Sequence, residues 1–302
     1  MKIILGGGLV ALLARDILGP DWVILPVGKS RFYSFNPPLA EDYIISSPET
    51  DDYMAQNSAI PTIHKIGYSY KGEISLDPTF CLSEYLKKLY GNAVPHHASA
   101  YYSNTKCFTS YGSCYELYHV LCDKFKNELQ KHNTIYGKVN GISLGGVYAS
   151  NIETDKTVLG ASSIISTVPL HILLGWIGIS HDLLYKNEFY YHIRTNCLDF
   201  EGATQLFVAD SEILFHKVVM INKFNYIFHS TKRIEFPGRY FMKFMNKFDL
   251  IAETTTDKSI CCGDIPHILE LNHLGITCMG STAIHDDCLD ISSCIKRLLK
   301  LK

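Results

Sequence analysis

Gly6, Gly8 and Ala11 stand in a G-x-G-x-x-A spacing, and their types suit one task. The first glycine of such a triplet permits a tight turn, the second lets a pyrophosphate approach the backbone, and the small third residue lets a helix pack on a strand. Here the triplet follows Lys2-Ile3-Ile4-Leu5, an apolar run suited to a buried parallel strand, and precedes a helix expected over Leu9 to Leu18. The N–H groups of Leu9 and Val10 would face the phosphates, where the helix dipole favours negative charge. The spacing therefore predicts a dinucleotide site, the bland alternative being a structural glycine turn.

The ribose end of such a site is unusual. An Asp or Glu about 20 residues beyond the glycines normally binds the adenosine ribose. The segment Pro26-Val27-Gly28-Lys29-Ser30-Arg31 holds no acid. Lys29 and Arg31 suit the 2′-phosphate of NADP, or they flank the pyrophosphate of FAD while Ser30 or backbone groups serve the ribose.

A second group of residues has a different chemistry. Between Lys217 and Phe248 stand Lys217, Lys223, Lys232, Arg233, Arg239, Lys243 and Lys247, against Glu235 alone. Phe224, Tyr226, Phe228, Phe236, Tyr240, Phe241 and Phe244 are interleaved with them. Cations neutralise phosphates while aromatic faces stack on unpaired or flipped bases, at roughly 1–3 kcal/mol per base. Lys217, Lys232, Arg233, Arg239 and Tyr240 are thus candidate DNA or substrate contacts. The competing reading packs the aromatics into an antiparallel sheet and leaves the cations on its solvated face.

Composition bounds these readings. A chain of 302 residues is long enough for two domains. With 47% hydrophobic and 19% charged residues it is an ordinary globular protein, and a net charge of −2 excludes a globally basic nucleic-acid binder but not a local patch. Ten cysteines contain no C-x-x-C, so free thiols in a reducing cytosol are expected, and no zinc site. His96-His97 reads as a solvated pair. Lys2 and its apolar run could pass for a secretory signal, but three glycines and Arg15-Asp16 interrupt it, so no targeting segment is expected. Val158 to Ser180 lacks charge, yet Pro169 and His171 favour a strand at Ser163 to Ser166, a turn and a short helix over a membrane span. A cytoplasmic protein is expected.

The remaining elements follow from periodicity. Strands are expected at Trp22 to Leu25, Tyr43 to Ser46 and Ile63 to Tyr70, the last turning at Lys71-Gly72-Glu73 into Ile74-Ser75-Leu76. Helices are expected at Leu82 to Tyr90 and Tyr115 to Leu129. Ile135 to Val139 and Val147 to Ala149 read as paired strands.

The opening Gly6-Gly7-Gly8-Leu9-Val10-Ala11, the strand ending Ser166-Thr167-Val168-Pro169-Leu170 and the late Gly275-Ile276-Thr277-Cys278-Met279-Gly280-Ser281 together resemble FAD-dependent amine oxidases, in the protoporphyrinogen-oxidase-like and UDP-galactopyranose-mutase-like branch. The resemblance implies an α/β fold: a Rossmann-like FAD-binding domain with an inserted mixed α+β substrate domain built on an antiparallel sheet. It assigns 1–42, 105–170 and 250–302 to the FAD domain, and 43–104 and 171–249 to the substrate domain. It implies FAD held by Gly6, Gly8, Leu9, Val10, Ala11, Lys29, Ser30, Arg31, Thr167, Pro169, Gly280, Ser281 and Leu289. A helix from about Asp287 to Leu299 would meet the flavin ring. Two departures are the missing ribose acid and Ser281, where relatives often carry Arg or Asp. His285, Asp286 and His216 are the catalytic candidates.

The phrase Lys29-Ser30-Arg31-Phe32-Tyr33-Ser34-Phe35-Asn36-Pro37-Pro38 carries a narrower likeness, to bacteriophage FAD-dependent lyases acting on 5-Nα-glycinylthymidine in DNA. That likeness implies a phage-encoded enzyme of thymidine hypermodification in a host cytoplasm, with DNA as partner and neither membrane nor metal. Hydride would leave the glycine α-carbon for the flavin. Water would then hydrolyse the imine to glyoxylate and 5-aminomethyl-deoxyuridine. A nucleotide-sugar mutase of the UDP-galactopyranose-mutase kind, a general FAD amine oxidase and a nucleic-acid-binding protein that has lost its cofactor are the competing readings.

If Lys29 and Arg31 serve FAD, the purified protein should carry FAD and bind NADP weakly. Micromolar NADP affinity by calorimetry in FAD-free protein would instead make it a reductase.

Overall fold

The computed structural model describes residues 1–27, 43–56, 62–104, 107–145, 149–196, 198–262, 269–284 and 291–302. Its first layer is set by apolar runs that are buried on both faces, as parallel strands between helical layers must be. β1 (Lys2–Leu5) is flanked by β2 (Trp22–Leu25) and β10 (Ser163–Ser166), and β16 (Ile276–Cys278) adds outside β10. All three pairings are parallel, with Lys2 level with both Trp22 and Ser163.

Side-chain alternation along β1 divides the core. Ile4 points to the side covered by α1 (Leu9–Leu18), α5 (Cys114–Tyr136) and α10 (Ile291–Leu301), where Leu12, Leu121, Ile295 and Leu298 are buried. Ile3 and Leu5 point to the side covered by α6 (Leu170–Trp176) and by a three-stranded antiparallel sheet of β7 (Val139–Gly145), β8 (Ala149–Thr154) and β9 (Val158–Ala161). Arg15 on α1 donates from Nε and Nη2 to the Glu128 carboxylate of α5, at 2.7 and 2.8 Å. α2 (Pro48–Ala55) is tied to the same helix by the Tyr53 hydroxyl, which donates to Asp16 at 2.7 Å.

The second unit is a nine-stranded sheet. Its order is β15 (Phe248–Cys262), β11 (Leu184–Thr195), β14 (Asn225–Ser230), β13 (Phe215–Asn222), β12 (Gln205–Val208), β4 (Thr62–Tyr70), β6 (Cys107–Ser113) and β3 (Tyr43–Ile45), with β5 (Glu73–Ser75) off β4. Only β12 and β4 pair in parallel. The β4–β5 hairpin turns through Lys71 and Gly72 at φ 53° and 82°, the two positive values a tight hairpin turn requires. α3 (Leu82–Tyr90) and α4 (Ala98–Asn104) cover one face, burying Tyr68, Tyr85 and Phe207. α7 (Pro237–Phe241) covers the other, burying Tyr191, Phe215, Tyr226, Phe228 and Phe241. The short α8 (Leu269–His273) precedes β16 and α9 (Ser281–Ile284) follows it.

The α/β class, a Rossmann-like sheet beside a larger sheet, is as expected. One strand is not. Ile135 and Tyr136 belong to α5, and the strand begins only at Val139, after Gly137 ends the helix at φ 79°. The positive φ favours glycine there, and a Cβ would also press on the Asp155 and Lys156 side chains. Its partner strand is Ala149–Thr154. The large sheet also takes β6 and β15 from stretches that the sequence division grouped with the FAD domain. Among the described residues no helix is long and apolar enough to cross a membrane, and Val158 to Ser180 forms two strands, a turn and α6.

Candidate functional site at the carboxyl ends of the parallel strands

Three blocks far apart in sequence meet where β1, β10 and β16 end. Ligands of open α/β sheets bind outside the carboxyl ends of the strands. Gly6 leaves β1 at φ 126° and its N–H donates to Leu25 O at 3.0 Å. A Cβ on Gly6 would fall onto Thr167 Oγ1. Thr167 in turn donates its N–H and its hydroxyl to Leu5 O, at 2.8 and 2.9 Å. The second block is thereby fastened to the end of β1. Pro169 then caps α6, accepting from Ile172 and Leu173 N–H at 2.9 and 3.1 Å.

Gly8 is the N-cap of α1 with φ −85° and ψ −176°, a conformation open to any residue. Its reason for being glycine is therefore space. Among the described residues no heavy atom lies within 4 Å of where its Cβ would be, and it offers no capping side chain. The first-turn N–H groups of a helix have no intrahelical acceptor, so Leu9 and Val10 carry donors beside the open space at Gly8. Ala11 is fully buried, as the small third residue of the triplet must be. The third block arrives through Gly280 at φ 103°, whose Cβ would touch Val10 Cγ2 at 3.5 Å. Met279 N–H donates to Ser166 O at 2.9 Å, joining this block to the second, and Ser281 opens α9 directly after the glycine. An open cap, a glycine-lined approach and unsatisfied helix donors fit a dinucleotide pyrophosphate.

The structure thus brings Gly6, Gly8, Leu9, Val10, Ala11, Thr167, Pro169, Gly280 and Ser281 to one edge. Lys29, Ser30, Arg31, His285, Asp286 and Leu289 lie outside the described residues. Two contacts join this edge to the large sheet. The His171 ring on α6 lies tilted against Tyr185 of β11, centroids 4.5 Å apart, and α9 packs on β15. Cys278, in the third block, is held neutral because burial pushes its thiol up to about 12. Among the described residues no group of three His, Cys, Asp or Glu is placed to hold a metal ion.

The candidate substrate contacts are split between the two faces of the large sheet. Lys217 pairs across the ladder with His229, so it shares the face of α3. Lys232, Arg233 and Arg239 are exposed beside α7, and the Arg233 Nε lies 3.3 Å from Glu253. Tyr240 is half-buried, and its hydroxyl accepts the Leu214 N–H at 2.7 Å.

His216 belongs to a buried cluster that the sequence did not announce. The Glu188 carboxylate lies between two imidazoles, 3.3 Å from His216 Nε2 and 3.1 Å from His229 Nδ1, and its other oxygen accepts the Tyr190 hydroxyl at 2.8 Å. Burial lowers the pKa of both histidines, that of His229 to about 4. Glu188 opposes this shift, while the nearby Lys217 reinforces it. Lys88 of α3 donates to Val208 O and Phe215 O at 2.9 and 2.8 Å, and burial lowers it to about 8. Alternation along each strand would have put these side chains on one face. Only the sheet order puts them together.

No family model matches the chain, and no curated protein matches it. Solved structures do. A reduced UDP-galactopyranose mutase superposes with a TM-score of 0.64 at 12% identity, covering 100% of this chain and 94% of that one. Cyclohexylamine oxidase from Brevibacterium oxydans gives 0.63 at 9%, covering 99% and 97%. A putative protoporphyrinogen oxidase from Exiguobacterium sp. gives 0.54 at 9%, covering 99% and 97%. At these identities the likeness establishes the fold alone.

Two outcomes follow from this geometry. Gly8→Val should fold normally yet purify without flavin, whereas Gly6→Ala should lose about 2–4 kcal/mol of stability through the Thr167 clash and the positive φ; absorbance near the flavin bands and chemical denaturation read the two effects. Acid should also act on the buried histidines. His229 has a folded pKa below its unfolded value of about 6.5, so it favours the folded state above pH 6.5, and that contribution, up to about 3 kcal/mol, is lost as pH falls towards 4. Denaturation midpoints at pH 7.5, 6 and 5 should fall in wild type and fall less in His229→Gln.

Proposed function

We propose that this chain is an FAD-dependent, amine-oxidase-like enzyme that acts on 5-Nα-glycinylthymidine in DNA, giving glyoxylate and 5-aminomethyl-deoxyuridine. The observation that carries the flavin part is the open N-cap at Gly8, with the other two blocks converging on the same helix turn. The cofactor, when bound, supplies the electron sink for hydride leaving the glycine α-carbon. The chain's own part is to bind and orient. N–H groups of Leu9 and Val10 would hold the pyrophosphate, Gly280 beside Val10 would admit the ribityl chain, and Pro169 and Ser281 would border the ring end. Oxidation of the secondary amine yields an imine, and water then splits the C–N bond. Lys232, Arg233 and Arg239 would contact DNA phosphates. The bond between Arg233 and Glu253 leaves other guanidinium donors for that purpose.

A nucleotide-sugar mutase is the second reading, favoured by the near-complete overlap with UDP-galactopyranose mutase. Exposed cations serve a diphosphate as well as DNA. The two separate on products.

The purified protein should be yellow, release FAD on heating, and liberate one glyoxylate per glycinylthymidine consumed. Turnover of a nucleotide sugar with no glyoxylate from glycinyl-DNA would select the mutase. Lys232→Ala with Arg233→Ala should weaken DNA binding and lower the slope of log affinity against log salt by about 1.4–1.8, leaving FAD content intact. An unchanged slope would make these cations a solvated sheet face.

A further inference from the structure

We propose that the outer face of the large sheet carries an extended track for single-stranded nucleic acid, running along residues 232–247 and ending at the turn between β13 and β14. The inference rests on the DNA-borne substrate above and adds the form in which that DNA is held.

The aromatic residues of this region fall into two sets. Tyr226, Phe228 and Phe241 are 0–2% exposed and build the core beneath α7. Phe236, Phe224 and Phe244 are 70%, 49% and 44% exposed, and Met242 is 63% exposed. Packing on the core leaves much of the surface of those rings in solvent. Lys223, Lys232, Arg233, Arg239, Lys243 and Lys247 are exposed around them, with Glu235 as the one acid of the stretch 223–247. In a chain of net charge −2 this is a strong local segregation of positive charge.

The cations and rings are strung out rather than clustered. Lys223 and Phe224 precede β14, while Lys232 and Arg233 follow it, so six residues of strand, roughly 20 Å, separate the two ends. Thr195 gathers one end, accepting chain from both sides: its N–H donates to Phe224 O at 2.9 Å and its hydroxyl to Lys247 O at 2.6 Å. Phe236 to Lys247 therefore crosses the face from the Lys232 end to the Phe224 end. Phe244 lies along that path, its ring 5.5 Å from Phe215 and 5.3 Å from Tyr240.

A row of exposed rings with cations between them matches a strand whose bases are free and whose phosphates repeat. Every base has a face to stack, so the rings act without reading sequence. In an intact duplex those faces are covered by neighbouring pairs, and only the cations would be useful. An enzyme acting on a base also gains when that base is already unstacked. A membrane surface is the poorer fit, because α7 has five residues and forms no amphipathic helix of the length such binding uses.

Fluorescence anisotropy with a labelled 15-mer oligothymidylate and a duplex of equal length tests the track, across a salt series. The single strand should bind more tightly. Phe236→Ala with Phe244→Ala should lower its affinity at least tenfold with little change in salt slope, and Lys243→Ala with Lys247→Ala should lower the slope by about 1.4. Equal affinity for duplex with no effect of the phenylalanine changes would overturn the proposal, as would sedimentation with phosphatidylserine vesicles in place of oligonucleotide binding. Track-like binding by a protein that releases no glyoxylate would uphold the track and sink the enzymatic reading. Glyoxylate release that is indifferent to the phenylalanine pair, with single-strand affinity also unchanged, would do the reverse.

Discussion

Thr167 fills the volume that a Cβ on Gly6 would need, and much of the site follows from that one close approach. Because Gly6 has no side chain, Thr167 can direct its N–H and its hydroxyl to the last carbonyl of β1. That double attachment sets where the chain leaves β10, hence where Pro169 starts α6. The same turn at Gly6 points the chain into α1 with Gly8 as a bare cap. Space is reserved at two neighbouring glycines for opposite reasons: at Gly6 it is filled by protein, and at Gly8 it is left open.

The large sheet uses its two faces differently. Towards α3 it buries ionisable groups, and a buried carboxylate is tolerable only when its oxygens are bonded. Glu188 meets that condition with Tyr190 and His229, which sit on two different strands, so the same bonds also fix the pairing of β11 with β14. Towards α7 the face is apolar inside, built from aromatic and aliphatic side chains, and cationic outside. A polar seam on one side and an apolar layer on the other favour a single register for β11, β13 and β14, since a slip by one residue would put Glu188 among Phe228 and Phe241.

Much of the fold was legible because its signals are local. The helix over Leu9 to Leu18, the strands at Trp22 to Leu25 and Ser163 to Ser166, and the helix over Leu82 to Tyr90 have the bounds that periodicity and flanking turns implied. Ile135 and Tyr136 read as strand by propensity but lie in the last turn of α5, where packing of its buried residues carries the helix on to Gly137. The glycine edge was legible for a different reason: Gly6, Gly8 and Gly280 each stand just past the end of a short apolar strand, where a turn or a close approach is expected. The Glu188 cluster was not legible, because β11, β13 and β14 become neighbours only in the sheet order.

The fate of Lys217 shows why a run of charge in sequence is weak evidence for a surface. By spacing it heads the cationic run that continues through Lys247. A register irregularity between Phe215 and Lys217 in β13 places His216 out of step with its ladder and sets Lys217 level with His229. Lys217 is consequently on the α3 side, where its charge helps keep the two histidines neutral. The cations from Lys232 onward follow β14 and return over the α7 side. One strand's pleat therefore separates a residue that acts on two buried histidines from residues that meet solvent. Among the described residues of this run, the second group stands exposed with Phe236 and Phe244 beside it.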